Sequence, residues 1–113
     1  MDYFTTTAKP SRRAVDCVIV GVYNRNRLSN GAEDIDSASR GSIKKLIKSG
    51  DIATAPGSCT VVRDLPGVSA ERVAVVGLGD VSKLDVRTFR KALRAAMGAL
   101  RSSKCKQILS TLN

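Results

Sequence analysis

The sequence predicts an α/β fold, a layered sheet with helices packed against it. Three observations lead there. Short β-branched, apolar runs alternate with stretches of helical period. One run, Ala14 to Tyr23, is apolar almost throughout, as a strand covered on both faces must be. The chain has 113 residues, 42% of them hydrophobic, enough for one domain that buries roughly 60–70% of its unfolded surface and too apolar for a disordered basic tail.

The elements follow in order. Tyr3 to Thr7 is aromatic and β-branched and makes a first strand, stopped by Lys9-Pro10-Ser11. Ala14 to Tyr23 is the second strand and the central one. Asn24 to Gly31 is polar and turn-rich, a loop carrying exposed charge. A helix then runs from Asn30, as cap with Glu33 three residues on, to Ser49, with Ile35, Ala38, Ile43, Leu46 and Ile47 along one stripe. Lys44, Lys45 and Lys48 near its end and Gly50 beyond it suit a helix C-terminus. Gly41 inside it costs ~1 kcal/mol against alanine and marks where a break would fall. After a loop with Pro56-Gly57, Cys59 to Leu65 is a third strand stopped by Pro66-Gly67. Arg72 to Val76 is a fourth, running into Gly77-Leu78-Gly79-Asp80. The clearest helix spans Asp85 to Ser102, and Lys106-Gln107-Ile108-Leu109 begins a fifth strand, after which the sheet is expected to be cut short.

What the chain lacks narrows its chemistry. With no histidine, Ser-His and Cys-His nucleophile pairs are excluded and the commonest metal ligand is missing. Cys17, Cys59 and Cys105 are far apart without C-x-x-C spacing, and each lies in or beside an apolar run, where a thiol behaves as a small hydrophobe. Gly77-x-Gly79 after a strand has the opening of a dinucleotide-binding turn. Ser82 stands where the third small residue belongs and the helix starts only at Asp85, so the two glycines are expected to form a tight turn instead. Glu33, Asp34 and Asp36 suit the first turns of a helix, and Asp80 with Asp85 define no coordination set. No catalytic or metal-ligating residue is assigned.

The net charge is +9, and it is uneven. Residues 85–113 hold seven basic residues against one acid, residues 1–30 five against two, and the middle is balanced. On the last helix Val86, Phe89, Leu93, Ala96, Met97 and Leu100 share an apolar sector, Arg87, Arg90, Lys91, Arg94 and Arg101 the sector beside it, and Ala92, Ala95 and Ala99 the remainder. If the two ends of the chain meet in space they form one basic face suited to phosphates, and those five cations are the candidate nucleic-acid contacts. The bland alternative is a solvated face, or one paired with acids elsewhere, since Tyr23 beside Arg25 is the nearest approach to aromatic interleaving. No run approaches the ~20 apolar residues of a membrane span, and Met1 to Thr5 does not open a secretory signal, so a cytoplasmic protein is expected.

Several segments form an ordered set: Cys17-Val18-Ile19-Val20-Gly21-Val22 with Leu28-Ser29, then Leu46-Ile47-Lys48-Ser49-Gly50-Asp51 leading through Pro56-Gly57. Leu65-Pro66-Gly67-Val68, Glu71-Arg72-Val73-Ala74-Val75-Val76-Gly77-Leu78-Gly79 and Leu84-Asp85-Val86-Arg87 follow. Over essentially the whole chain this order resembles the N-terminal domain of the leucyl aminopeptidase, or cytosol aminopeptidase, family. The resemblance implies a macro-domain-like mixed sheet flanked by helices, with residues 1–113 a non-catalytic N-terminal domain. It implies a parent metallo-exopeptidase that releases N-terminal amino acids, leucine favoured, with two divalent metals, manganese or zinc, in a C-terminal domain absent from this chain. No catalytic residue, metal ligand or cofactor carries over, and the chain alone is expected to be inactive. The implied partners are that peptidase domain, the other protomers of a hexamer and, as in some bacterial members, DNA. The alternative is a stand-alone basic macro-like domain binding DNA or a nucleotide; the Gly77-Leu78-Gly79 turn is too incomplete to transfer ADP-ribose binding.

Overall fold

Seven residues, Cys17–Tyr23, form strand β2, and from Cys17 to Val22 every one of them is buried. With side chains alternating by twos, Cys17 and Ile19 enter one core and Val18, Val20 and Val22 the other. In the computed structural model, which describes residues 2–5, 10–12, 14–101 and 105–111, β2 is the middle of a six-stranded mixed sheet. Strand β5, Arg72–Gly79, runs parallel along one edge from Cys17↔Arg72 to Val22↔Gly77. Strand β6, Gln107–Ser110, lies parallel along the other from Cys17↔Ile108 to Ile19↔Ser110. Strand β1, Asp2–Thr5, pairs in parallel with β6, and β4, Cys59–Arg63, pairs antiparallel with β5, giving the order β1-β6-β2-β5-β4. The predicted Thr6-Thr7 end of the first strand, its Lys9 stop, the Ser102 end of the last helix and the final Leu112-Asn113 lie outside the described residues.

Helices complete three layers. On one face α1, Asn30–Ala38, and α2, Ser42–Ser49, bury Ala32, Ile35 and Ile43 against Val18, Val20, Val73, Val75 and Leu109. On the other, α3, Val86–Leu100, buries Ala92, Ala96 and Leu100 against Ile19, Ala74, Val76 and Ile108. A doubly covered central strand in a layered α/β sheet is as the sequence predicts.

Five departures have physical reasons. The loop after β2 contains a two-residue strand, β3, Arg27–Leu28, folded back onto β2 through a turn in which Arg25 and Asn26 take left-handed φ of 63° and 58°. Ser29, not Asn30, caps α1: its Oγ accepts from the Ala32 amide at 3.2 Å and also from the Gly21 amide at 3.2 Å, so the cap doubles as a tie to β2. The single helix expected from Asn30 to Ser49 breaks at Arg40-Gly41, whose φ of 59° and 81° no helix sustains. Across the break the buried Asp36 carboxylate accepts from the Lys44 amide at 3.0 Å, supplying α2 with the cap that Gly41 has no side chain to give. The third strand stops at Arg63 because Asp64 turns left-handed at φ 56°, while Arg63 pairs with Glu71 at 2.8 Å across the turn.

The fifth concerns Gly77 and Gly79. They do not form a tight turn but extend β5 by three residues past Val76. The 54–58 loop lies directly on them: the Gly77 amide donates to the Ser58 carbonyl at 2.9 Å and the Gly79 amide to the Thr54 carbonyl at 2.9 Å. A Cβ on Gly77 would collide with the Ala55 carbonyl oxygen and Ser58 Oγ, and one on Gly79 would meet Pro56. The glycines are there to admit backbone.

The entry to β6 depends on Asp16. Its carboxylate accepts from the Lys106 amide at 2.6 Å and the Gln107 amide at 2.9 Å, and its own amide donates to the Gln107 carbonyl at 3.1 Å. Bonds from Gln107 and then Lys106 hold the Asp16 carboxyl below its ordinary 3.8. A depressed folded-state value means that its stabilisation is complete above the unfolded value and is lost as pH falls through the folded one.

Two outcomes follow. Gly77→Ala should destabilise the fold by ~1–3 kcal/mol, since the clash is with backbone that cannot rotate away, while Gly98→Ala, where nothing lies within 4 Å of the new Cβ, should stabilise it by up to ~1 kcal/mol, both read from urea midpoints. Asp16→Asn should flatten the fall in stability below pH 3.8, and an acid transition as steep as the parent's would show that the clamp contributes nothing.

Candidate functional site

Helix α3 starts cleanly because Asp85 accepts from the Thr88 amide and hydroxyl, each at 2.9 Å; those bonds, and then Arg87, lower its carboxyl pKa. The row turned to the sheet is Ala92, Ala96 and Leu100, spaced by four residues, and two alanines in it allow close approach. Phe89, Leu93 and Met97 flank it, half-buried. Two residues change places from the predicted stripe. Val86, in the first turn, is 63% exposed, and Ala92, expected to be filler, is fully buried.

All five predicted cations, Arg87, Arg90, Lys91, Arg94 and Arg101, are exposed. They are not one cluster. Arg87 stands beside the Asp85 cap, and the Lys91 stem lies over Gly57, its Cε 2.6 Å from where a Cβ would be. Arg90, Arg94 and Arg101 instead border an open groove with Leu93, Met97 and Gly98. Among the described residues the ion pairs are Arg63–Glu71 and Arg72–Glu71, so no acid is paired to α3.

Among the described residues the two basic ends of the chain do not merge into one face. The sheet does bring residues 2–5 and 107–110 together, but Arg12 belongs to a turn packed on α1, where it borders a cleft with Asp34, Ser37 and Gly67, across the sheet from α3. Arg25 lies at the strand ends near Asp80, whose carboxyl is lowered first by bonds from Ser82 and further by Lys83 and Arg25. Position along the chain says nothing about which side of the sheet a residue reaches, and that decided the outcome.

At the C-terminal ends of the parallel strands, Tyr23, Leu28, Ser29, Asn30, Leu78, Phe89 and Thr111 line a cleft of about 290 Å³. Sequence reasoning missed it, because its residues come from five separate segments with no shared motif. Among the described residues its lining has no carboxylate, thiol or basic group. The Gly77 and Gly79 amides are already committed to the 54–58 loop, so no phosphate cradle forms beside it. Among the described residues no group of three or more His, Cys, Asp or Glu side chains is placed to hold a metal ion, and no helix is long and apolar enough to cross a membrane.

All three thiols face the α3 core. Cys17 is fully buried, and desolvation in the first place pushes it up to about 12; burial also raises Cys59.

A family model described as the cytosol aminopeptidase family, N-terminal domain, matches residues 19–113. The chain belongs to this family. It is 45% identical over 103 residues, 91% of its length, to a "Probable cytosol aminopeptidase" of Xanthomonas axonopodis pv. citri (strain 306), and 40% identical over 110 residues, 97% of its length, to one of Stenotrophomonas maltophilia (strain K279a). It spans 21% and 22% of those relatives, about a fifth of the curated proteins it matches. The fold is that of the macrodomain of Mycobacterium tuberculosis DarG, with a TM-score of 0.70 at 11% identity over 96% of this chain and 74% of that one. The cytosol aminopeptidase N-terminal domain thus has a macrodomain-like fold, as the resemblance implied.

Iodoacetamide at pH 8 should leave Cys17 unmodified in the native protein and label it in denaturant, as read by mass spectrometry; labelling of the native protein at the denatured rate would contradict a buried thiol with its pKa near 12.

Proposed function

We propose that this chain serves as the non-catalytic N-terminal domain of a cytoplasmic, metal-dependent leucyl aminopeptidase, a module for assembly of the parent hexamer. The observation that supports it is the family match over residues 19–113 in a chain that spans a fifth of its curated relatives. Two divalent metals, manganese or zinc, would supply the activated water for attack on the first peptide bond. The described residues do not fit such metals, having no cluster of ligands, and no step of that reaction is routed through them. Their share is to fold, to join the peptidase domain and to present a surface.

A second reading concerns that surface. The exposed cations of α3, with no acid paired to them, support contact with DNA through Arg87, Arg90, Lys91, Arg94 and Arg101. A free-standing nucleotide-binding domain has less support, because the glycine amides that would hold a phosphate bond the 54–58 loop.

The chain alone should not hydrolyse leucine p-nitroanilide with manganese added, and turnover would overturn the domain assignment. In gel shifts over a salt series, DNA binding should weaken with a log–log slope of ~0.9 per phosphate contacted and disappear in R87E/R90E/R94E. No shift at low salt, or one indifferent to those reversals, would remove the DNA reading.

A further inference from the structure

The groove on α3 has a construction that a general basic patch lacks. Its lining consists of two adjacent rows, each stepping by four residues: Arg90, Arg94 and Gly98 in one, Leu93, Met97 and Arg101 in the other. Rows of this spacing are the ridges by which helices pack, and the channel between two of them, here about 450 Å³, receives the ridge of a second helix crossing at roughly −50°. At Gly98 the ridge has no side chain and nothing lies within 4 Å of the Cβ position, so an incoming backbone can come close. Leu93 and Met97 pack against the α3 core, so this apolar floor is held in place, and three exposed guanidinium groups rim it.

The floor and the rim together select the occupant. Duplex phosphates would satisfy the arginines but gain nothing from Leu93 and Met97. A second copy of this chain does not fit either. Its own α3 would oppose arginine to arginine, and its acid-rich helix α1 turns Ala32 and Ile35 into the core, with Glu33 and Ser37 outward and no apolar ridge to offer. We propose that the groove of α3 seats an acidic amphipathic helix of another protein, whose apolar ridge enters between the two rows while its carboxylates meet Arg90, Arg94 and Arg101.

This proposal does not rest on the aminopeptidase assignment and is tested with the chain itself. The probe is a fluorescein-labelled peptide of about five helical turns, with leucines along one i, i+4, i+7 face and glutamates elsewhere. Its control is a scrambled peptide of the same composition, and a duplex DNA of equal net charge is the competing ligand. In anisotropy titrations at physiological salt the patterned peptide should saturate one site and bind about tenfold or more tighter than the scrambled one. Gly98→Leu fills the channel at an exposed helical position, so it should melt no lower than the parent yet lose about tenfold in affinity. R94E/R101E should lose at least as much by a different route. Equal binding of the scrambled peptide, undiminished binding by both variants, binding of the duplex without the peptide, or no binding at all would each overturn the proposal.

Discussion

Burial of β2 on both faces and along both edges is the constraint from which the rest follows. A strand with no exposed residue from Cys17 to Val22 must have every amide and carbonyl met by a neighbouring strand and every side chain met by a helix. One edge is supplied by β5 and the other by β6, both from the C-terminal half of the chain. The faces are supplied by α1 with α2 and by α3. Because the β2 side chains from Cys17 to Tyr23 alternate between two cores, a slip of one residue in either ladder would exchange the two sets, so register is specified throughout.

Polar side chains then fasten the layers where the ladders cannot. Ser29 joins the start of α1 to β2 at Gly21, Asp36 joins α1 to α2 across a break, and Asp16 joins the entry of β6 to β2. At the far end, Thr111 donates from both its amide and its hydroxyl to the Ile19 carbonyl, and Gly31 leaves room for its side chain. Each tie spans elements that hydrophobic burial alone would bring together only loosely.

Much of this was legible from the chain alone. The near-continuous apolar run of β2, the Gly50 stop of α2 and the Asp85 cap of α3 are local signals, set by residues within a turn of where they act. What was not legible depends on distant contacts. The choice of Ser29 over Asn30 as cap depends on Gly21, and the reason for Gly77 and Gly79 lies in a loop some twenty residues earlier. Arg12 and Arg94 look like parts of one basic surface until the sheet puts them on opposite sides. The candidate site was legible as a list of cations but not as a groove, since the pattern that separates Arg90, Arg94 and Arg101 from Lys91 involves Gly98, which by itself carries no signal, and the packing of Lys91 over Gly57.

The same geometry explains why the surface worth attention is a helix face and not the strand ends. In open α/β sheets ligands bind beyond the C-terminal ends of parallel strands, where backbone amides are free to meet them. Here the chain closes that end on itself: the 54–58 loop takes the amides of Gly77 and Gly79, Asn24 takes the Gly79 carbonyl at 2.8 Å, and Thr54 bonds Asn24 at 3.0 Å. Among the described residues the cleft left beside them holds a tyrosine, a phenylalanine and small polar groups, but no charge to orient an anion. Charge is instead displayed on α3, whose small inward row sets it close to the sheet and whose outward rows remain uncovered among the described residues. The partner we propose would therefore meet a rigid, preformed helix face and not a set of free backbone amides.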